Sequence, residues 1–74
     1  MRKWLKNERN KRGLTQPALA NLAGVHVTAV NKYELGTRTP NPKLAKKIAD
    51  ILGFDWALFY EDGEEPGDAE EERQ

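Results

Sequence analysis

The stretch "QPALANLAGVHVTAVNKYEL", residues 16–35, constrains the fold more than any other part of the chain. It reads as two helices of about two turns each, joined by almost nothing. Thr15 just before it is a good helix cap, and Pro17 falls inside the first turn, where its missing N–H does little harm. The first run ends at about Ala23, Gly24 supplies the turn, and the second runs from about Val27 to Glu34, ending near Leu35-Gly36. Two helices that meet at a steep angle bring their backbones close at the crossing. The first then needs a small residue there, and the turn needs one that accepts positive φ. Ala20 is the small residue and Gly24 the turn residue. Leu19, Ala23, Val25, Val30 and Tyr33 fall at inward positions, with polar residues between them. Each alone is ordinary core; held together in one register, they are a far rarer pattern.

That pattern is a helix-turn-helix, and the rest of the chain is helical around it. Residues 2–12, "RKWLKNERNKR", are good helix formers that stop at Gly13. Residues 37–42, "TRTPNP", read as a loop, the prolines biasing Thr39 and Asn41 toward extended geometry. From Lys43 a further helix places Leu44, Ile48 and Leu52 on one face, flanked by Ala45 and Ile51, and Gly53 ends it. Asp55 caps a last short turn, "WALFY". No strand pattern is present. The expected fold is all-α, a compact bundle of about five short helices containing the helix-turn-helix.

Composition narrows the chemistry. With 74 residues the chain makes one small domain with a lean core. It has no cysteine, hence neither disulfides nor a thiolate zinc site. A single histidine, His26, and scattered carboxylates do not make a metal site or a catalytic constellation. No enzyme activity, cofactor or metal is expected. The absence of a long apolar run and of a signal-peptide core makes a cytoplasmic protein, with no membrane partner, the expectation.

The formal net charge of zero conceals two unlike halves. Residues 1–60 carry eleven Lys/Arg and four acids, a balance of +7. Residues 61–74, "EDGEEPGDAEEERQ", carry eight acids and one arginine, a balance of −7. A basic body followed by an acidic, low-periodicity tail, expected to be disordered, points to nucleic acid as a partner. Mere solubility is the competing account of so charged a chain.

The chain resembles the lambda-repressor-like helix-turn-helix family, of the Cro/repressor or XRE type. The resemblance covers about residues 4–60 and rests on "RxxxGLTQ" at 9–16, "LAxxAGV" with one residue fewer at 19–25, "YExGxRxP" at 33–40 and "KIADxLG" at 47–53. It implies a DNA-binding domain of residues 1–60 that regulates transcription as a repressor, commonly as a homodimer on a pseudo-palindromic double-stranded operator. There are departures. His26 stands where the family prefers a Ser or Thr cap, Glu8 stands where an aliphatic is common, and Pro17 is unusual.

In such folds the second helix of the motif lies in the major groove. The resemblance therefore assigns base contacts to Val27, Thr28, Asn31 and Lys32: a methyl for thymine, a hydroxyl for either kind of edge, an amide for adenine, an ammonium for guanine or phosphate. A solvated polar face is the plain alternative. Gln16, helped by free N–H groups at its helix start, is a phosphate candidate, with Lys11, Arg12, His26, Arg38 and Thr39 as weaker ones. The family pattern also implies an ion pair between Arg9 and Glu34, against two unpaired surface charges. Trp56, Phe59 and Tyr60 are the candidate dimer surface. The other class left open is an antitoxin-like or other protein-interaction module of the same fold.

The tail yields an expectation of its own. A flexible acidic segment can compete with phosphates for the body's Lys and Arg. Deleting residues 61–74 should then tighten non-specific DNA binding at low salt more than specific binding. The gain should fade as the Debye length drops from ~10 Å at 0.1 M salt toward ~3 Å at 1 M. Titration of both chains against operator and random duplex checks this; superimposable curves leave the tail with solubility alone.

Overall fold

The computed structural model describes residues 1–61, and the tail from Asp62 onward lies outside the described residues. Five helices follow one another: α1 (Lys3–Lys11), α2 (Gln16–Ala23), α3 (Val27–Leu35), α4 (Pro42–Leu52) and α5 (Leu58–Glu61). No strand occurs among the described residues.

Local chemistry sets the boundaries. The Thr15 hydroxyl accepts the Ala18 N–H at 3.1 Å and starts α2. Gly24 ends it in the left-handed region, φ 76° and ψ 32°, and the Val25 N–H returns to the Ala20 carbonyl at 2.9 Å. A residue with a Cβ would be strained there, so the sharp turn into α3 depends on this glycine. Asn41 starts α4, its Oδ1 accepting the Leu44 N–H at 2.9 Å. This helix begins at Pro42 rather than Lys43. Proline suits the first helical position because its missing N–H would have had no partner. At the other end of the chain, Asp55 Oδ1 accepts the Ala57 N–H at 3.0 Å ahead of α5.

The core forms where α2, α3 and α4 meet. Leu5, Leu19, Val30, Ile48, Leu52 and Phe59 are its largest fully buried side chains, each worth about 1.5–3 kcal/mol of burial. On α4 the buried stripe is Ala45, Ile48, Ala49 and Leu52, while Leu44 and Ile51 sit half-buried at its margins. The face expected from the sequence is Leu44, Ile48 and Leu52 with Ala45 and Ile51 flanking; Ile48 and Leu52 are buried as expected, while Ala45 and Ala49 take the buried place given to Leu44. Val25 is likewise half-buried rather than fully inward.

The aromatic residues divide into two sets. Trp4, Phe54 and Phe59 form a triangle of edge-to-face contacts, with ring centroids 5.1, 5.3 and 5.6 Å apart, that closes the bundle between α1 and α5. Phe59 is only 1% exposed, so it belongs to the core and not to a dimer surface. Trp56 and Tyr60 pair separately at 5.8 Å.

Two arginines of the N-terminal segment serve as ties between elements. Arg2 is 2% exposed. Its backbone N–H donates to the Glu34 carbonyl at 2.7 Å, and its guanidinium donates to the Tyr33 carbonyl at 2.8 Å. These are carbonyls that the end of α3 would otherwise leave unpaired. The same guanidinium donates to the Arg38 carbonyl at 2.8 Å and the Thr39 hydroxyl at 2.7 Å, and it lies 5.6 Å from the Phe59 ring centroid. Arg12 Nε donates to the Leu52 carbonyl at 2.9 Å, fastening the end of α1 to the end of α4. Gly53 follows Leu52, and a Cβ built on it would overlap the Arg12 guanidinium.

Arg9 and Glu34 make the third tie. Arg9 Nε donates to Glu34 Oε2 at 2.6 Å and a terminal nitrogen donates to Oε1 at 3.2 Å, a two-pronged pair with side chains 9% and 3% exposed. The other terminal nitrogen donates to the Leu14 carbonyl at 2.8 Å. Removing one partner leaves a buried charge uncompensated, so Glu34→Ala should cost about 3–5 kcal/mol in urea denaturation. Replacing both, as Arg9→Met with Glu34→Leu, should recover part of that loss, short of all because the Leu14 carbonyl also loses its donor. A Glu34→Ala loss below about 1 kcal/mol would mean that the pair behaves as a surface one.

Candidate nucleic-acid interface

The motif presents one face of α3 to solvent. Thr28, Asn31 and Lys32 are exposed, while Val30, Tyr33 and Glu34 of the same helix are buried. The helical period alone produces that division, with apolar positions turned to the core and polar ones outward. Val27 is half-buried and packs against the core, so only part of its methyl surface is available for contact.

The start of α3 is built on His26. Its ring Nδ1 accepts the Thr28 N–H at 3.1 Å, performing the task a serine or threonine oxygen performs elsewhere. The Thr28 hydroxyl lies 3.0 Å from the same nitrogen. The end of α3 is equally well finished. Gly36 is left-handed at φ 86°, the Gly36 and Thr37 N–H groups return to the Lys32 carbonyl at 3.0 and 3.1 Å, and Arg2 takes the next two carbonyls. A helix held at both ends and pinned through Glu34 is a rigid support for its exposed side chains.

Gln16 is placed differently from the expectation that it would hold a phosphate. Its side-chain N–H groups point at Glu34 Oε1, 3.0 Å away, and at Asn31 Oδ1, a longer contact of 3.4 Å. A phosphate accepts and does not donate, so the amide must leave one of these partners before it can bind one. In the arrangement present, the contact to Asn31 fixes which end of that amide is oxygen. The Asn31 nitrogen and a second lone pair on its oxygen stay available to something outside.

The remaining phosphate candidates are dispersed around the motif. Lys11 is exposed and pairs with Glu8 at 3.3 Å, an i,i+3 surface contact of little energy. Arg12 is turned to the Leu52 carbonyl and acts first as a tie between helices. The Arg38 side chain is exposed, and its carbonyl, with the Thr39 hydroxyl, is gripped by Arg2. Arg2 therefore shapes the loop after α3, a role that reading the sequence missed. Nothing in "MRKWLK" distinguishes Arg2 from its basic neighbours, since its partners lie more than thirty residues away. The Asn41 cap was also missed, although Asn-Pro ahead of an amphipathic run is a legible helix start.

On the far side, Lys46 Nζ lies 4.9 Å from the Trp56 ring centroid, and the Tyr60 hydroxyl donates to the Pro40 carbonyl at 2.7 Å. Tyr60 is 45% exposed and Trp56 is half-buried, so these two, without Phe59, remain as candidates for a contact surface. No group of three or more His, Cys, Asp and Glu side chains is placed to hold a metal among the described residues. Nor is any helix among them long and apolar enough to cross a membrane.

Comparison with known proteins agrees with this geometry. A family model for helix-turn-helix domains matches residues 5–59. An uncharacterised HTH-type transcriptional regulator of Bacillus subtilis (strain 168), YqaF, is 45% identical over 62 residues, which is 84% of this chain and 82% of that protein. No solved structure matches at a significant level. With Gly24 turning α2 into a capped, one-sided α3, the chain belongs to the helix-turn-helix family of DNA-binding transcription regulators, in its Cro/repressor (XRE) branch.

Proposed function

We propose that the protein is an operator-binding transcriptional repressor that lays α3 in the major groove of double-stranded DNA. The carrying observation is the chain of contacts from the buried Arg9–Glu34 pair through Gln16 to exposed Asn31. An amide aimed at a base must be oriented before binding if it is to discriminate, and this chain orients it. Thr28 and Lys32, one turn apart on the same exposed face, and the free part of Val27 complete the reading set. Phosphate contacts come from Lys11, Arg38, Thr39 and His26, the last through its outer ring nitrogen; Arg12 and Gln16 serve chiefly as supports. Repression requires only that a site needed by the transcription machinery be occupied, which a domain of this size does unaided.

Selection of bound sequences from random duplex DNA tests the proposal. Thr28→Ala, Asn31→Ala and Lys32→Ala should each weaken operator binding by roughly 1–3 kcal/mol and relax preference at one or two base positions. Gln16→Ala should act at the same position as Asn31→Ala, since its effect passes through that amide. Affinity should fall steeply with salt, as phosphate contacts require and a protein-interaction module does not. Uniform losses across all sequences would show that the recognition surface lies elsewhere.

One such helix reads few base pairs, so we propose a homodimer on a pseudo-palindromic operator with half-sites about 34–36 Å apart. Trp56 and Tyr60, with Lys46 beside them, form the proposed contact between copies. Trp56→Glu should abolish cooperative binding to the paired site while preserving affinity for an isolated half-site, measured by sedimentation with duplexes of both lengths. Selected sequences containing only single half-sites would make the protein a monomeric reader.

A further inference from the structure

Arg2 joins three segments of the chain. Its carbonyl accepts the Leu5 N–H at 3.0 Å at the start of α1, and its own N–H donates to the Glu34 carbonyl at 2.7 Å. Its side chain makes no cap for α1 and turns to the chain after α3. There one terminal nitrogen donates to the Tyr33 and Arg38 carbonyls, both at 2.8 Å, and the other donates to Thr39 Oγ1 at 2.7 Å. The residue is 2% exposed, and the Phe59 ring centroid lies 5.6 Å from the guanidinium carbon. A guanidinium carries five N–H donors in one rigid plane and so grips separated acceptors at once, which a lysine ammonium does not.

The grip falls on the loop between α3 and α4. Arg2 holds Arg38 and Thr39, and the next residue, Pro40, accepts the Tyr60 hydroxyl at its carbonyl. Pro40 is buried and Thr39 half-buried, while Arg38 is exposed. With the Arg38 carbonyl tied inward, its side chain leaves the domain from a fixed backbone. On a loose loop the same side chain would lose backbone freedom whenever it met a phosphate, and that loss would weaken the contact.

We propose that Arg2 is a positioning residue for DNA binding: by fixing the backbone at Arg38 and Thr39, it presets the phosphate contact of the Arg38 side chain. Arg2 meets α3 at Tyr33 and Glu34, two buried residues of its last turn, away from exposed Thr28, Asn31 and Lys32. Its effect therefore falls on affinity for every sequence and leaves base preference unchanged. The inference rests on the reading of Arg38 as a phosphate contact.

A double-mutant cycle between positions 2 and 38, in the full chain on random duplex DNA, tests the role. Arg38→Ala should flatten the salt dependence by the share of one phosphate. Between about 0.05 and 0.2 M salt, the unaltered chain should lose roughly three- to fourfold more affinity than this variant. In an Arg2→Met background, Arg38→Ala should add little. A brace for stability alone would leave Arg38 its full effect in both backgrounds.

Arg2→Lys keeps the charge and the backbone bond to Glu34 but loses the fork, and it serves where Arg2→Met does not fold. In this variant, free of DNA, NMR order parameters at residues 37–39 should fall from about 0.85 toward about 0.6, while those of α3 hold. Sequences selected by Arg2→Lys should match those selected by the unaltered chain. Equal Arg38→Ala effects in both backgrounds, an equally rigid loop in Arg2→Lys, or a changed base preference would each overturn the positioning role alone. An Arg38→Ala chain with unaltered salt dependence would overturn that role together with the phosphate contact beneath it.

Discussion

The fold turns on a single carboxylate. Glu34 lies on the inner side of α3 and accepts from Arg9 of α1 through both oxygens, while Gln16 of α2 shares one of them. Three helices are therefore fixed relative to one another by one buried group. Removing two charges from water costs several kcal/mol each, and the attraction between them roughly returns it. The contribution of the pair is accordingly to geometry, since rotation of α3 about its axis would break the two-pronged contact. A carboxylate that must meet a guanidinium and an amide does not permit that rotation. The outer face of α3, with Thr28, Asn31 and Lys32, inherits its orientation from this inner contact.

The ends of α3 obey the same logic by other means. At its start a ring nitrogen replaces the usual hydroxyl, and at its finish the second residue of the chain covers two open carbonyls. The guanidinium of Arg2 then continues to the loop carrying Arg38 and Thr39. Helix α3 and the loop after it thus share one anchor, and the aromatic triangle of Trp4, Phe54 and Phe59 packs between α1 and α5.

Much of this was legible in the residues and some was not, for definable reasons. The helices and their glycine stops followed from period and capping, which are local and repeat every few residues. The outward placement of Thr28, Asn31 and Lys32 followed from the same period. The type and position of Gln16 suit a phosphate, while its contact to Glu34, eighteen residues on, leaves no local trace. Phe59 was misread because an aromatic run near the end of the body looks alike whether it faces a partner or a core. Three-dimensional packing against Trp4 decides the matter, and its sequence separation hides it. Arg2 shows the limit most plainly: a basic residue among basic residues, buried by partners that only the closed fold brings near.

The tie between Arg12 and Leu52 carries a consequence for how such a sequence diverges. Gly53 leaves the gap into which the Arg12 guanidinium fits, and any side chain there would displace it from the Leu52 carbonyl. A lineage that replaces Gly53 first loses both the left-handed turn and the tie. One that replaces Arg12 first loses the tie alone and thereby frees the space beside position 53. Drift through this pair is therefore directional, with the arginine expected to change before the glycine. Relatives that keep an arginine at position 12 and a larger residue at position 53 should be scarce among descendants of a common ancestor.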